Sequence, residues 1–357
     1  MRSHRAPTRS VGRRGNETLL RGSHEGRPRQ LKRFVSFLAA HSIHFRHFRN
    51  FDPPALIAVW QSRAGQPELN PAVGIEVFEQ FVLAKTYFDP EGLILACDGD
   101  RVLGFAHACF GASDAEDSIS TELGTTALLM VRPDCDEAQV AAGLLEQSEA
   151  YLQRRGAKVI YGGGIRPLNG FYLGLYGGSE SPGVLESDMV AQQAFTSHGY
   201  REIDRTLLFH RHLSTFEAVV DRRQMQVRRQ MVVEVVLDPP PRTWWEACTM
   251  DLFDLVRFAL VPRTGGSAVA TAIFRRMELV PTTLQPPSLG LIEVWVEESA
   301  RRRGLAIFLL SEAFRQFIRE GTGEVEVQAM QHNLAAQSLY RKMGFQQFGQ
   351  GSVFRKE

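Results

Sequence analysis

The sequence predicts an α/β chain in which one architecture is laid down twice, and three observations carry that expectation. In both halves a strand, a helix and a second strand follow one another: TTALLMV, residues 137–155 and KVIYGGGI, then LGLIEVWV, GLAIFLLSEAFRQFIRE and EVEVQAM. Each half then has a further helix closing on a glycine and an aromatic residue, Gly199-Tyr200 and Gly344-Phe345, before strand-like sequence resumes. The length of 357 residues also exceeds the usual single-domain size. The division drawn is a basic, disordered tail at 1–42, a first copy at 43–213 and a second copy at 214–357.

Residues 1–33 hold ten Arg or Lys against two Glu, leaving 31 basic against 38 acidic groups elsewhere, a net −7. The tail is Arg-rich and lacks the apolar segment of a secretory signal, so a solvated tail is expected; a targeting peptide or a misassigned start is the other reading. Order begins near Ile43. IHFRHFR alternates like a strand, and DPPALIAVWQSR starts a helix with Asp52 as cap and proline in its first turn. His41, His44 and His47 recur every third residue, but an extended strand splays them apart, so no metal is expected there. A second helix covers 75–86, and LILACDGDRVLGFAHACF makes two strands joined at Asp98-Gly99-Asp100.

After KVIYGGGI comes an insertion, residues 166–188, rich in glycine and aromatics. Its Phe171, Tyr172, Leu175 and Tyr176 either line an acceptor pocket or plug the gap between the two copies. MVAQQAFTSHGYREIDRTLLFHRHL then offers a helix and two strands. In the second copy, 214–231 contains a connecting helix, VVEVVL a strand, DPPPRT a break and WWEACTMD one short helix. LVRFALVP and the next strand meet at Gly265-Gly266.

Chemistry gathers where LGLIEVWV hands over to the helix beginning at Leu305. In RRRGLA, Gly304 permits close backbone approach and Ala306 keeps the first turn slim. The unpaired amides of the helix start then point outward with the positive end of its dipole behind them. Arg301, Arg302 and Arg303 add guanidinium donors suited to phosphate. Taken alone, this is equally a basic turn capping a surface helix. It is followed, however, by EVEVQAM and by HNLAAQSLYRKMGF, with Asn333, Ala336, Leu339, Tyr340, Gly344 and Phe345 in order.

With both motifs in that order, Leu289 to Phe348 resembles the GNAT acyltransferase superfamily. The resemblance implies two tandem GNAT-like domains, each a mixed, mostly antiparallel twisted sheet flanked by helices. It also implies an acyl-CoA-dependent N-acyltransferase that moves acetyl from acetyl-CoA to a primary amine by direct attack. The pantetheine arm would lie along Val294, Trp295 and Val296, and the diphosphate over Arg301, Arg302, Arg303, Gly304, Leu305 and Ala306. Tyr340 would be the general acid at the sulfur, with core packing as its other reading. Asn333 would bond the arm or the preceding loop, or cap its helix. Some relatives carry a glutamate five positions before that asparagine; here it is Gln328, which cannot accept a proton. Glu293, read as sharing a face with Leu291 and Trp295, is the substitute base, or else a carboxylate paired with an arginine. In the first copy Asp136, Gln139 and Ala141 stand where the loop motif wants Arg, Gly and Gly or Ala, and Asp136 and Glu137 would face a diphosphate, so coenzyme binding there is expected to be lost or greatly weakened.

The acidic body implies no nucleic-acid partner. No apolar run approaches membrane-spanning length, and the four scattered cysteines suggest neither a zinc ribbon nor disulfides, which fits the cytoplasm. The expected acceptor is a small-molecule amine or a protein N-terminus, with no metal. The second reading of function is a non-catalytic CoA-binding or scaffold protein.

Overall fold

Among the described residues the strands join edge to edge into one thirteen-stranded sheet. The computed structural model describes residues 43–66, 68–69, 73–176, 178–277 and 287–357; the basic tail and His41 lie outside them. The first half runs β1 His44–His47, α1 Pro53–Gln61, α2 Ile75–Phe78 with a π-turn over Glu79–Leu83, β2 Leu93–Asp98, β3 Arg101–Ala112 and β4 Ile119–Val131. It continues through α3 Glu137–Arg154, β5 Val159–Gly162, β6 Val184–Leu185, α4 Met189–Ser197 and β7 Arg201–His212. The second half runs α5 Arg222–Gln230, β8 Met231–Leu237, α6 Trp244–Met250, β9 Leu255–Pro262, β10 Ala270–Arg276 and β11 Ser288–Val296. After these come α7 Leu305–Arg319, β12 Glu324–Met330, α8 Leu334–Lys342 and β13 Gln346–Lys356.

The strand order is β1-β2-β3-β4-β5-β13-β7-β12-β11-β10-β9-β8, with β6 beside β13. Only β4–β5 and β11–β12 are parallel among these pairs. The closing strands are exchanged: β13 of the second half lies on β5 of the first, β7 of the first lies on β12 of the second, and β7 and β13 pair with each other. The two strands expected after Gly199-Tyr200 are therefore one twelve-residue strand, and the second half fills the vacant place. Burial accounts for the exchange. Leu207 and Phe209 point into the second-half core beside Leu289 and Tyr340, whereas Leu208 points into the first-half core. Each such side chain stabilises the junction by roughly 1.5–3 kcal/mol.

Local signals explain most boundaries. Asp136, Asp188, Asp221, Thr243 and Asn333 cap α3, α4, α5, α6 and α8 through a side-chain oxygen. Asp52 precedes the prolines of α1 as expected but does not cap it, because both its oxygens are bonded to Arg46 at 2.7 Å. On α7, Leu305, Phe308, Leu309, Leu310, Ala313, Phe314 and Phe317 form the buried stripe, while Ile318 is exposed. Phe258 and Phe274 of the sheet meet Phe317 edge-on, with centroids at 5.3 and 4.9 Å.

The insertion packs inward. Phe171, Tyr172, Leu175 and Tyr176 are buried among Trp60, Phe78, Phe105, Leu128 and Met130 of the first half, a core that also takes in Phe253 of the second. The tyrosine hydroxyl of Tyr172 meets buried His107 Nδ1 at 2.8 Å, and burial lowers the His107 pKa to about 3. The acceptor-pocket alternative for these four residues therefore gives way to packing.

Candidate active site

The site begins where two parallel strands part. β11 and β12 pair only over Ser288–Leu291 and Glu324–Val327, yet β11 continues to Val296 and β12 to Met330. Beyond Leu291, β11 stays on β10, so alternate backbone groups of 292–296 face the opening rather than a neighbouring strand. The opening widens into a cavity of about 1180 Å³, large enough for a nucleotide-sized ligand and a second molecule.

One wall is the start of α7. Gly304 adopts φ +81°, a left-handed conformation, and no side chain caps the helix, unlike α3–α6 and α8. Arg302 is also left-handed, at φ +64°. Two left-handed residues fold the turn so that the first-turn amides face outward, a geometry that binds anions. Gln224 of α5 braces the turn by donating from Nε2 to the Gly304 carbonyl at 3.3 Å, and a Cβ on Gly304 would sit 3.0 Å from that nitrogen. Arg301 Nε reaches back to the Val296 carbonyl at 3.2 Å, tying the loop to the strand end. Arg301, Arg302, Gly304, Leu305 and Ala306 all line the cavity, as do Val294, Trp295, Val296 and Asn333. Arg303 does not: it is exposed and outside the lining. Asn333 accepts the Ala336 amide at 3.1 Å as helix cap, leaving its side-chain NH₂ for a ligand.

The opposite wall holds Tyr340, 6% exposed and packed between Phe209 and Phe345. Burial, and then the charge of Glu180, push its pKa well above the usual tyrosine range, so the hydroxyl keeps its proton. Glu293 also lines the cavity, but a β-bulge at Ile292 reverses the alternation expected for this strand. Leu291 joins the α7 core and so do Val294 and Val296, so Glu293 and Trp295 face away from Leu291. There both Glu293 oxygens are engaged by Arg242, at 3.2 and 3.0 Å.

The far wall comes from the first half: Ile165, Arg166, Asn169, Glu180 and Ser181. Glu180 was not anticipated, because no periodicity links residue 180 to a tyrosine at 340. Its carboxylate is partly exposed to the cavity and 3.4 Å from Arg166 Nε. Its pKa is raised, first by burial; Arg166 and Arg275 oppose that shift and Glu293 reinforces it. The segment carrying it is held in place. Gln328, the position where some relatives have a glutamate, donates to the Glu180 carbonyl at 2.7 Å. Arg275, fully buried, donates from Nε to the Ser179 carbonyl at 2.8 Å and lies 4.5 Å over the Phe253 ring.

Residues 226–345 match the acetyltransferase (GNAT) family model. No curated protein sequence matches the chain. Among solved structures, it is similar to a GCN5-related glucosamine N-acetyltransferase region of a fungal multi-domain GH3 β-N-acetylglucosaminidase, at 17% identity and TM-score 0.66. That match covers 89% of this chain and only 38% of the fungal one. A GCN5-related N-acetyltransferase from Sphaerobacter thermophilus is 18% identical with TM-score 0.59, covering 88% and 95% of the two chains. A tandem GNAT protein from the clavulanic acid biosynthesis pathway is 12% identical with TM-score 0.62, covering 88% and 98%. At these identities the likeness is one of fold: two tandem GNAT-like copies in a mixed, mostly antiparallel sheet.

Proposed function

We propose that this chain, whose residues 226–345 belong to the acetyltransferase (GNAT) family, transfers acetyl from acetyl-CoA to a primary amine by direct attack in the cleft between its two halves. The observation that carries this is the grouping, around one cavity, of an uncapped left-handed helix start, a splayed strand with free backbone groups, a buried protonated tyrosine and a carboxylate with raised pKa.

Each group has a task. Arg301, Arg302 and the amides of Leu305 and Ala306 take the diphosphate, and Gly304 allows the approach. Val294, Trp295 and Val296 present backbone to the pantetheine arm, and an amide aimed at the thioester oxygen is worth ~10²-fold or more in rate. Asn333 adds a donor beside the arm. Acetyl-CoA supplies the thioester carbonyl that the amine attacks; a C–N bond forms, the C–S bond breaks and sulfur leaves as thiolate. Glu180 receives the amine proton, since burial gives its carboxylate more basicity than an exposed one has. Tyr340 donates to the departing sulfur. Glu293, held by Arg242, is the alternative base and otherwise shapes the acceptor wall.

The first half serves as a wall. The insertion's Phe171, Tyr172 and Tyr176 are buried in its core with Leu128 and Met130 of β4, and the start of α3 is already neutralised, with Asp136 accepting the Gln139 amide at 3.1 Å and Glu137 paired with Arg63 at 3.0 Å. The amine is carried by a small molecule or a protein N-terminus. The test is release of free CoA from acetyl-CoA with a panel of amines. Turnover that falls in Tyr340→Phe while coenzyme affinity is kept supports catalysis; tight coenzyme binding with no turnover on any amine supports the scaffold reading instead.

A further inference from the structure

Away from the cleft, β7 and β12 bring two imidazoles and a carboxylate together on one face of the sheet. His210 and His212 are two apart on β7 and so share a face; Glu324 of β12 lies directly opposite His212, and Glu326 opposite His210. One ligand atom from each of His210, His212 and Glu324 falls within 4.8 Å of the others. His210 Nδ1 is 2.5 Å and His212 Nδ1 3.7 Å from the same Glu324 oxygen. A tetrahedral zinc ion with bonds of about 2.0–2.1 Å needs donors roughly 3.4 Å apart. The two imidazole-to-carboxylate separations bracket that value.

A second observation points the same way. Glu326, the next residue of β12 on this face, has a buried Oε2 with no hydrogen-bond partner among the described residues. A divalent cation beside these two same-face carboxylates would favour their charged forms. Arg275 acts on Glu326 only through space, since its described hydrogen bonds go to the carbonyls of Ser179, Arg276 and Gly178. His212 is 62% exposed at its side chain, which leaves an entry path for an ion and room for the water that would complete four-coordination.

From this geometry we propose that His210, His212 and Glu324 bind a borderline divalent transition metal, zinc by preference, as a clamp across the junction where the first half's last strand joins the second half. Two imidazoles and one carboxylate suit zinc rather than magnesium or calcium, which favour all-oxygen sets. The role is structural and independent of acetyl transfer.

The test is calorimetric titration of zinc chloride into the chelator-stripped full chain, with magnesium chloride as control and thermal unfolding in parallel. One equivalent of zinc binds, magnesium does not, and the melting temperature rises. His210→Ala/His212→Ala lowers zinc affinity by about tenfold or more and removes the thermal shift, while His198→Ala, at the C-terminal cap of α4, changes neither. Should the double variant fold poorly, Glu324→Gln is titrated in its place, and cobalt chloride added to the unaltered chain gives a visible tetrahedral band that zinc displaces. Zinc binding unaffected by these substitutions, or no zinc binding to the unaltered chain, overturns the proposal.

Discussion

Replacing Glu180 by glutamine tests most sharply whether the first half takes part in the chemistry. Glutamine keeps the volume and can still meet Arg166, which lies 3.4 Å away in the parent, but it cannot take a proton from the acceptor amine. Removing a well-placed general base lowers rates by about 10²–10⁴-fold, or about 3–5 kcal/mol of transition-state stabilisation. The pH profile adds a second reading. A base acts only when deprotonated, so kcat/KM of the parent rises through the Glu180 pKa, which burial lifts above the ordinary carboxylate range, and then levels off. In Glu180→Gln that limb is lost. Acetyl-CoA affinity stays within about twofold, because the diphosphate cradle is on another wall. The assay is steady-state release of CoA against pH, with calorimetric acetyl-CoA binding on the same preparations. Activity within about threefold of the parent, with the rising limb retained, would refute the assignment and turn attention to Glu293. Glu293→Gln is expected to act mainly on KM, since Arg242 occupies both its oxygens.

Gln328→Glu restores the residue that some relatives carry, yet it is expected to slow turnover about tenfold or more. It exchanges the donor to the Glu180 carbonyl for an acceptor, a cost of about 1–3 kcal/mol, and a rate at or above the parent's contradicts this. Arg275→Met removes a fully buried guanidinium and leaves nearby Glu180 and Glu326 without its charge. Denaturant unfolding should show a loss of about 3 kcal/mol or more. His107, neutral in the core with its pKa lowered from 6.5 to about 3, leaves the folded state unable to bind a proton that the unfolded chain takes up below pH 6.5. Its contribution is therefore complete above pH 6.5 and is lost on acidification, by about 3 kcal/mol at pH 4. His107→Gln, which keeps a partner for Tyr172, flattens that limb of a stability-versus-pH curve; an unchanged slope counts against it.

Local features of this fold were legible in the sequence, and long-range ones were not. The strand–helix order and the close-approach glycine at 304 follow from short-range sterics, so periodicity and turn chemistry reveal them, whereas the left-handed φ of Gly304 and the capping by Asn333, one of two readings open in the sequence, come from the structure. The cradle residues follow for the same reason, and all but Arg303 line the cavity. The exchange of β7 and β13 left no trace, because an alternating apolar strand reads alike whichever partner it meets. The bulge at Ile292 is one extra residue with no compositional mark, and it sends Glu293 to the face opposite the one that strict alternation gives. Glu180 enters the site through a fold-back spanning more than a hundred residues, held by Gln328 and Arg275, whose contacts depend on tertiary structure alone.

The central claim is that one anion cradle, in the second half, grips acetyl-CoA. Calorimetric titration of acetyl-CoA into the intact chain tests it most directly. One equivalent is expected to bind, with affinity lowered at least tenfold by Gly304→Val, because a β-branched residue is strained at φ +81° and its Cβ would crowd Gln224. No heat on mixing, two equivalents per chain, or binding indifferent to Gly304→Val would contradict it.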